Sequence, residues 1–433
     1  MRPPSYLIIC LVVLSCQPPS DSNAIKFPVP TEPMVSTEGW PEGLTREMYY
    51  DKVLGLLVGS AIGDAMGAPV EMWSRDYIAV QHGFIDTLVM VRRPGQAEGP
   101  WEDNLRPGGT TDDTRWKYLL TQFLLSQQDT TLDDKAFARY ILRLYEHELA
   151  DVREMKTFDP EPLERELLQV QWLQEWAKVA KPYAEDDLQG YSYAVSRFYG
   201  GEMSCAGMLY SPLIGARFPA QSDKAYLESY KLGMFDLGYA RDLSALCAAY
   251  VAEAMDPATT IDRILATTEN TDPLRYFNSR LVERIAYRSY TLSKQIAHEV
   301  YLLDSTDVPR DFQLPRNFMG SRLDYFRLCE AYKRMEPLLQ DIPFHAGEIH
   351  MINLVAIAFS KGDFRLAMNF IVNFGRDNDT VAAVAGAILG AYLGFEQLPQ
   401  EMARGVMSVS KETIGIDLEA LAQALTEQQF PAE

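Results

Sequence analysis

The sequence predicts an all-α fold, and three observations support this class. Hydrophobic residues recur at helical spacing along most of the chain, whereas alternating stretches typical of strands are scarce. The 433 residues are 47% hydrophobic and 23% charged, which excludes disorder, collagen-like repeats, coiled coils and a small disulfide scaffold. No repeat of solenoid period is present. We therefore expect a helical body with a large apolar core.

The N-terminus carries a processing signal. Arg2 precedes an apolar run over 5–14, which is shorter than the ~20 residues of a membrane span and fits a secretory signal peptide. The run ends in Val-Leu-Ser-Cys at Cys16, which resembles a bacterial lipobox. We expect a signal peptide over 1–15 and an exported lipoprotein in the periplasm or at the cell surface. A plain secretory signal cleaved nearby is the alternative.

A tether follows the signal. Residues 16–45 are rich in Pro, Ser, Thr and Glu, a composition typical of an extended linker. The globular domain is therefore expected over 46–433. Its three cysteines are widely spaced and form no CxxC pair, which argues against a disulfide framework or a thiolate metal site.

The charge balance restricts the partners. Asp and Glu total 60 against 40 Lys and Arg, so the formal net charge is -20. Such a polyanion is repelled by nucleic-acid phosphates and by anionic lipid headgroups. We expect no nucleic-acid partner and membrane contact only through the lipid anchor at Cys16. The charge does not indicate an oligomeric state.

The hydrophobic period predicts the positions of the helices in the body. Residues 145–200, with two tryptophans and many charges, are expected to form an amphipathic excursion on the surface. A separate second domain there is the alternative. The predicted helices span 114–126, 133–149, 161–181, 224–255, 274–303, 321–336, 346–360, 379–395 and 417–428.

Two acidic clusters lie where a glycine turn enters a helix. The first is the Thr-Thr-Asp-Asp-Thr run over 110–114, and the second is Gly-Arg-Asp-Asn-Asp-Thr over 375–380. Helix capping explains one oxygen-bearing side chain at such a place, but each cluster contains two carboxylates together with hydroxyls. Crowded carboxylates repel one another unless a cation neutralises them. Oxygen ligands without His or Cys favour Mg²⁺, Mn²⁺ or Ca²⁺ over zinc. The clusters therefore predict a shared metal site.

A third motif is the sequence GLLVGSAIGDAMGAPVE over 55–71. Its glycines recur every four residues and form a flat stripe along one helix face, suited to close packing. Glu71 follows the end of this helix. The spacing leaves two roles open for Glu71, a solvated surface acid or a general base facing the metal site.

These three motifs together resemble the ADP-ribosylglycohydrolase family, which is also named after the dinitrogenase reductase activating glycohydrolase. They occur in the family's order, and the resemblance extends from about residue 50 to about residue 400. It implies a single compact all-α domain with a cleft that holds two Mg²⁺ or Mn²⁺ ions. The family's motif glutamate corresponds to Glu71. The implied metal ligands are Thr111, Asp112, Asp113, Asp377, Asp379 and Thr380.

A weaker match implies where the substrate binds. A loop of small residues in the family approaches the diphosphate of ADP-ribose, and backbone N–H groups there can reach an anion. Its counterpart in this chain comprises Ser204, Cys205, Ala206, Gly207 and Met208. A structural loop before a helix is the alternative. Leu209 replaces the family's usual Arg, and Arg376 departs from the usual Gly-Gly-Asp-Thr-Asp pattern. Arg376 is expected either to contact a substrate phosphate or to pair with a nearby acid.

The resemblance implies metal-assisted hydrolysis of an N- or O-glycosidic bond to ribose, with Glu71 or Asp113 as the base. The expected substrate is a small-molecule or protein-linked ADP-ribose-type compound. An exported enzyme acting on a nucleoside or other glycoside, and a non-catalytic ADP-ribose-binding protein, are the alternatives. An isoprenoid-synthase-type enzyme is disfavoured because the 112–116 segment lacks the last acid of a DDxxD motif.

Overall fold

The structure is a computed structural model that describes residues 39–91, 106–127, 131–154, 160–315 and 317–430. Seventeen α-helices and no β-strand are present in these ranges, so the predicted all-α class is confirmed. The predicted signal peptide, Cys16 and most of the tether lie outside them. The helices are α1 (Arg46–Gly67), α2 (Arg75–His82), α3 (Asp112–Ser126), α4 (Asp134–Glu154), α5 (Pro160–Ala184), α6 (Leu188–Val195), α7 (Ser211–Ala216), α8 (Ser222–Leu232), α9 (Ala240–Ala254), α10 (Ile261–Asn270), α11 (Ala286–Leu302), α12 (Arg322–Met335), α13 (Ala346–Ser360), α14 (Phe364–Phe374), α15 (Asn378–Leu393), α16 (Gln400–Ile414) and α17 (Leu418–Gln429).

Helices α1 and α15 form the centre of the core. Their glycines allow the two backbones to touch: a Cβ added at Gly59 would lie 2.4 Å from the Gly386 carbonyl oxygen. At Gly63 the corresponding distance, to the Ala382 carbonyl oxygen, is 2.0 Å. The segment 46–70 is apolar and long enough to cross a membrane, but its apolar window of 18 residues is entirely buried inside the protein. The glycine stripe is therefore a packing surface in the core.

The predicted helix over 224–255 was wrong as a single element. The chain leaves helical conformation between α8 and α9, where Gly233 and Gly238 lie, and Gly238 has a φ of 52°. Only the second half of the predicted 274–303 helix is observed, as α11. Six further helices were not predicted: α2, α6, α7, α10, α14 and α16. Three of these have eight residues or fewer, too few to establish a helical period.

The expected surface excursion is partly core. Trp176 on α5 is only 1% exposed, and its ring centroid lies 3.9 Å from that of Trp116 on α3. Trp172 packs on the same ring at 5.6 Å. The aromatic contacts attach α5 to the helix that begins at the first acidic cluster.

Trp40, within the predicted tether, also contacts the body. Its ring stacks on Tyr49 of α1 with centroids 5.4 Å apart and meets Phe430 edge-on at 5.3 Å. Ordered contacts of the body thus begin before α1.

Candidate active site

Asp64 of α1 holds the first acidic cluster in place. Its carboxylate is fully buried and accepts hydrogen bonds from the Thr111 N–H and hydroxyl, both 2.9 Å from Oδ1. Oδ2 accepts from the Thr114 N–H at 3.1 Å and from the Thr114 hydroxyl at 2.6 Å. Burial raises the pKa of Asp64, whereas these donors favour its charged form. Asp64 thereby fixes the turn that starts α3.

Sequence reasoning assigned no role to Asp64. Asp64 lies in α1 among apolar and small residues, and every residue of this helix from Val53 to Gly67 is buried. An acid in such a helix is the one signal that could have identified it, since a buried carboxylate requires hydrogen-bond donors.

The second cluster begins in a strained turn. Gly375 and Arg376 have φ values of 85° and 69°, in the left-handed region. The Met72 N–H donates to the Arg376 carbonyl at 2.7 Å, and the Arg376 N–H donates to the Trp73 carbonyl at 2.9 Å. A Cβ at Gly375 would lie 2.3 Å from the Trp73 carbonyl oxygen, so glycine permits this close approach. The pairing brings Glu71 beside the start of α15.

Three carboxylates converge at this point. Glu71, Asp377 and Asp379 each present an oxygen, and these oxygens all lie within 4.8 Å of one another. The Thr111 hydroxyl is 3.4 Å from Asp379 Oδ2, and the Thr380 hydroxyl donates to Asp113 Oδ2 at 3.0 Å. The structure therefore brings the two acidic clusters and Glu71 into one group.

A cleft of about 370 Å³ opens onto this group. Eight of the predicted site residues line the cleft. Thr111 and Asp113 are not among the lining residues, but they form hydrogen bonds to Asp379 and Thr380, which are. Gly207, Met208 and Arg376 are outside the lining. The lining residues are Glu71, Met72, Asp112, Tyr199, Ser204, Cys205, Ala206, Leu209, Phe344, Asp377, Asp379 and Thr380.

The aromatic wall of the cleft was missed by sequence reasoning. Tyr199 and Phe344 come from separate segments, and their ring centroids lie 5.8 Å apart. Neither lies in a motif, so only the tertiary structure could place them beside the carboxylates.

The electrostatics of the group call for a cation. Burial and the neighbouring Glu71 charge raise the pKa of Asp377 to about 8, and the same two causes raise the pKa of Asp379. Burial raises the pKa of Asp113 to about 6. Asp379 Oδ1 is buried and has no hydrogen-bond partner among the described residues. These carboxylate oxygens are suitable ligands for Mg²⁺ or Mn²⁺, and the charge of such an ion would stabilise the carboxylates in their ionised form.

The small-residue loop differs from the anion-binding arrangement that was expected. The Cys205 N–H donates to the Phe344 carbonyl at 3.0 Å, and the Gly207 N–H donates to buried Asp236 at 2.8 Å. The Ser204 and Met208 N–H groups donate to nearby carbonyls. These four N–H groups thus have protein acceptors in this conformation. The buried Ser204 hydroxyl lines the cleft without a hydrogen-bond partner among the described residues.

Arg376 is paired with an acid. Its guanidinium donates to both oxygens of Glu348, at 2.6 and 2.9 Å, and to the Gln340 carbonyl at 2.8 Å. The Glu348 side chain is fully buried, so the pair lies against the core of the protein. Of the two expectations for Arg376, the structure shows the ion pair; contact with a substrate phosphate stays a prediction.

Comparisons with known proteins identify the family of the chain. A model of the ADP-ribosylglycohydrolase family matches residues 45–432. The chain is 23% identical over 393 residues to "Uncharacterized protein YegU" of Escherichia coli (strain K12), covering 89% of this chain and 99% of that protein. It is 33% identical over 84 residues to the ADP-ribosyl-[dinitrogen reductase] glycohydrolase of Rhodospirillum rubrum, covering 19% of this chain and 26% of that enzyme.

A solved structure shares the fold. A chain described as an ADP-ribosylglycohydrolase-related protein complex superposes with a TM-score of 0.52 at 19% identity, covering 88% of this chain and 99% of its own length. The family match indicates hydrolysis of a glycosidic bond, and the family as a whole is metal-dependent. On its motifs, its fold and the span of the family match, this chain belongs to the ADP-ribosylglycohydrolase family.

Proposed function

We propose that the protein is a metal-dependent hydrolase that cleaves a glycosidic bond to ribose, in an ADP-ribosyl or related nucleotide-sugar linkage. The observation that carries the proposal is the convergence of Glu71, Asp377 and Asp379 in the lining of one cleft. Its volume of about 370 Å³ is within the usual range for small-molecule sites. Family membership supports the reaction class.

The proposed metal ligands are the six residues that the family resemblance implies, and the cofactor is two Mg²⁺ or Mn²⁺ ions. When bound, these ions supply positive charge that anchors hydroxyl and water oxygens. Asp379 Oδ1 has no hydrogen-bond partner among the described residues, and this together with the crowding of acids supports the assignment. The ligands are Thr111, Asp112, Asp113, Asp377, Asp379 and Thr380.

Glu71 is the better candidate for the general base. It is half-buried and lines the cleft, where its carboxylate can accept a proton from an attacking water. Both oxygens of Asp113 are already engaged, Oδ1 by Lys117 at 3.4 Å and Oδ2 by Thr380 at 3.0 Å. The negative charge of Glu71 would also stabilise positive charge that develops on the ribose ring.

A nucleoside or other glycoside, hydrolysed by an exported enzyme, is the second candidate substrate. The predicted secretory signal favours this alternative, because a protein outside the cytoplasm would meet scavenged nucleosides and glycosides. Tyr199 and Phe344 offer an aromatic wall that suits a flat base or a sugar face. A binding protein without catalysis is the remaining alternative.

The proposal is tested with purified full-length protein and Mg²⁺ or Mn²⁺. The panel contains ADP-ribosyl-arginine, ADP-ribosyl-serine, NAD and simple nucleosides, and the released ribosyl product is measured. Asp112→Ala and Asp379→Ala are expected to abolish release, whereas Asp223→Ala, at an exposed position on α8, should retain it. Release that persists without metal would contradict the proposal. Metal-dependent ADP-ribose binding without release would support the binding-protein alternative.

We also propose that the protein is a lipoprotein anchored at Cys16. Metabolic labelling with a fatty acid is expected to label the wild type and to be lost in Cys16→Ser. An unlabelled wild type released in soluble form would instead indicate a plain secretory signal.

A further inference from the structure

The small-residue loop over 204–208 forms one wall of the cleft. Three of its residues are in the lining, Ser204, Cys205 and Ala206. The Cys205 Sγ lies 3.8 Å from Asp377 Oδ2, so this wall stands directly against the carboxylate group. A shift of the loop would therefore change the width of the cleft at the point where the proposed substrate binds.

The loop rests on the break between α8 and α9. On either side of the loop, Met203 and Tyr210 contact the two ends of this break, Gly238 and Leu232. A Cβ added at Gly238 would lie 2.7 Å from the Met203 Sδ, and the Tyr210 hydroxyl donates to the Leu232 carbonyl at 2.8 Å. A third contact, in the middle of the loop, comes from a carboxylate.

Asp236, inside the break, contacts the middle of the loop. Its Oδ1 accepts a hydrogen bond from the Gly207 N–H at 2.8 Å, and Asp236 is only 7% exposed. A Cβ added at Gly207 would lie 2.2 Å from Asp236 Oδ2 and 2.6 Å from the Ser244 hydroxyl oxygen. Glycine therefore permits the loop backbone to approach these two side chains closely. Asp236 and Ser244 are outside the lining of the cleft, so they support the wall from behind.

A buried carboxylate at this position has a cost. Burial raises the pKa of Asp236 to about 6, whereas the hydrogen bond from the Gly207 N–H favours the charged form. An apolar side chain of similar size would avoid the desolvation of a carboxylate. It would also leave the buried Gly207 N–H without its acceptor. The carboxylate and the conformation of the loop therefore depend on each other.

We propose that Asp236 is a positioning residue for substrate binding. It acts through the Gly207 N–H and holds the cleft wall at a fixed distance from the carboxylate group. The inference rests on the proposed hydrolase function for its kinetic consequence, whereas the contact with the loop is measurable without a substrate. Removal of the acceptor is expected to loosen the wall and weaken substrate binding. The proposed metal ligands lie on other segments and stay in place.

The first measurement follows the loop itself. Asp236→Leu removes the acceptor at similar size, whereas Asp236→Asn keeps a side-chain oxygen that can accept from the Gly207 N–H. Hydrogen exchange with mass spectrometry, on the purified full-length protein, follows the peptide that contains Gly207. Asp236→Leu is expected to speed exchange in this peptide at least about tenfold, and Asp236→Asn should stay within about threefold of the wild type.

The second measurement is kinetic and uses the panel compound that the wild type hydrolyses best. Asp236→Leu should raise KM at least about tenfold and change kcat less than about threefold, because the base and the metal ligands keep their positions. Asp236→Asn should restore KM to within about threefold of the wild-type value. The Mn²⁺ affinity, measured by titration calorimetry, should be unchanged in both variants.

A second buried carboxylate provides the matched control. Asp242 of α9 is 1% exposed and accepts from Arg284 and Tyr226 rather than from the loop. Asp242→Asn should lower stability but leave KM and the exchange of the Gly207 peptide unchanged. Circular dichroism checks that each variant is folded. If Asp236→Leu does not fold, Asp236→Ala and Gly207→Ala take its place, since the first removes the acceptor and the second displaces the loop.

Three results would overturn the inference. Unchanged exchange of the Gly207 peptide in Asp236→Leu would show that Asp236 does not hold the loop. Faster exchange with an unchanged KM would show that the loop position does not affect substrate binding. An Asp236→Asn variant as impaired as Asp236→Leu would show that the acceptor is not what matters. A wild type that hydrolyses no panel compound contradicts the proposed function instead, and the exchange measurement still decides whether Asp236 holds the wall.

Discussion

Replacing Asp64 with Asn is expected to weaken both the fold and the metal centre. Oδ1 accepts from two donors of Thr111, and Oδ2 accepts from two donors of Thr114. The Thr111 N–H also reaches Oδ2, at 3.1 Å, so an NH₂ group in place of Oδ1 leaves only the Thr111 hydroxyl without its acceptor, whereas an NH₂ group in place of Oδ2 leaves both Thr114 donors without theirs. A buried donor left unsatisfied costs about 1–3 kcal/mol, so the free energy of unfolding should fall by about 1–6 kcal/mol.

The second consequence concerns the position of the first cluster. Thr111 also lies 3.4 Å from Asp379 Oδ2, so a displaced turn changes the carboxylate group itself. Urea unfolding measures the loss of stability, and Mn²⁺ titration of the folded variant measures the affinity. We expect the affinity to fall at least about tenfold, which corresponds to ~1.4 kcal/mol.

The control is another buried carboxylate outside the cleft. Asp242 is 1% exposed and accepts from Arg284 and Tyr226. Asp242→Asn should lower stability without changing the Mn²⁺ affinity. The reasoning is refuted if Asp64→Asn matches the wild type in both measurements, or if the two variants lose affinity equally.

Three further predictions concern other parts of the molecule. Gly67→Ala places a Cβ 2.3 Å from the Asp379 Cα and should reduce both Mn²⁺ affinity and stability, the latter by about 1–3 kcal/mol in urea unfolding. Burial lowers the His350 pKa from 6.5 to about 3, so the unfolded state binds the extra proton and stability falls as pH drops between these values. His350→Leu should flatten this slope by up to ~1.4 kcal/mol per pH unit in unfolding measurements. Arg376→Met leaves buried Glu348 without its cation and should cost about 3 kcal/mol in thermal or urea unfolding.

Each of these has its own control. Gly405→Ala, where an added Cβ meets only the Leu88 side chain at 3.2 Å, should keep the wild-type Mn²⁺ affinity. Equal pH slopes for His350→Leu and the wild type would contradict the second prediction. For the ion pair, the double variant Arg376→Met with Glu348→Gln should recover part of the lost stability; a single variant as stable as the wild type would show that the pair contributes nothing.

The helix boundaries show what pattern reading can do. The hydrophobic period predicted α3, α12 and α13 to within a few residues, because apolar residues recur at helical spacing through each of these runs. The same period predicted one helix where the structure has α8 and α9, because apolar spacing continues on both sides of the Gly233–Gly238 break. Within that break, the Asp236 carboxylate accepts a hydrogen bond from the Gly207 N–H, a contact that no local pattern specifies.

The sequence alone determined the family, the all-α class and the acidic residues, because motifs with fixed spacing indicate which side chains lie at the start of a helix. Tertiary structure alone decided how those residues combine. Glu71 joins Asp377 and Asp379 because the backbone after Glu71 pairs with the Gly375 turn. Asp64 enters the centre because helix packing buries it beside the first cluster, and burial makes its charge depend on Thr111 and Thr114, which are distant in sequence.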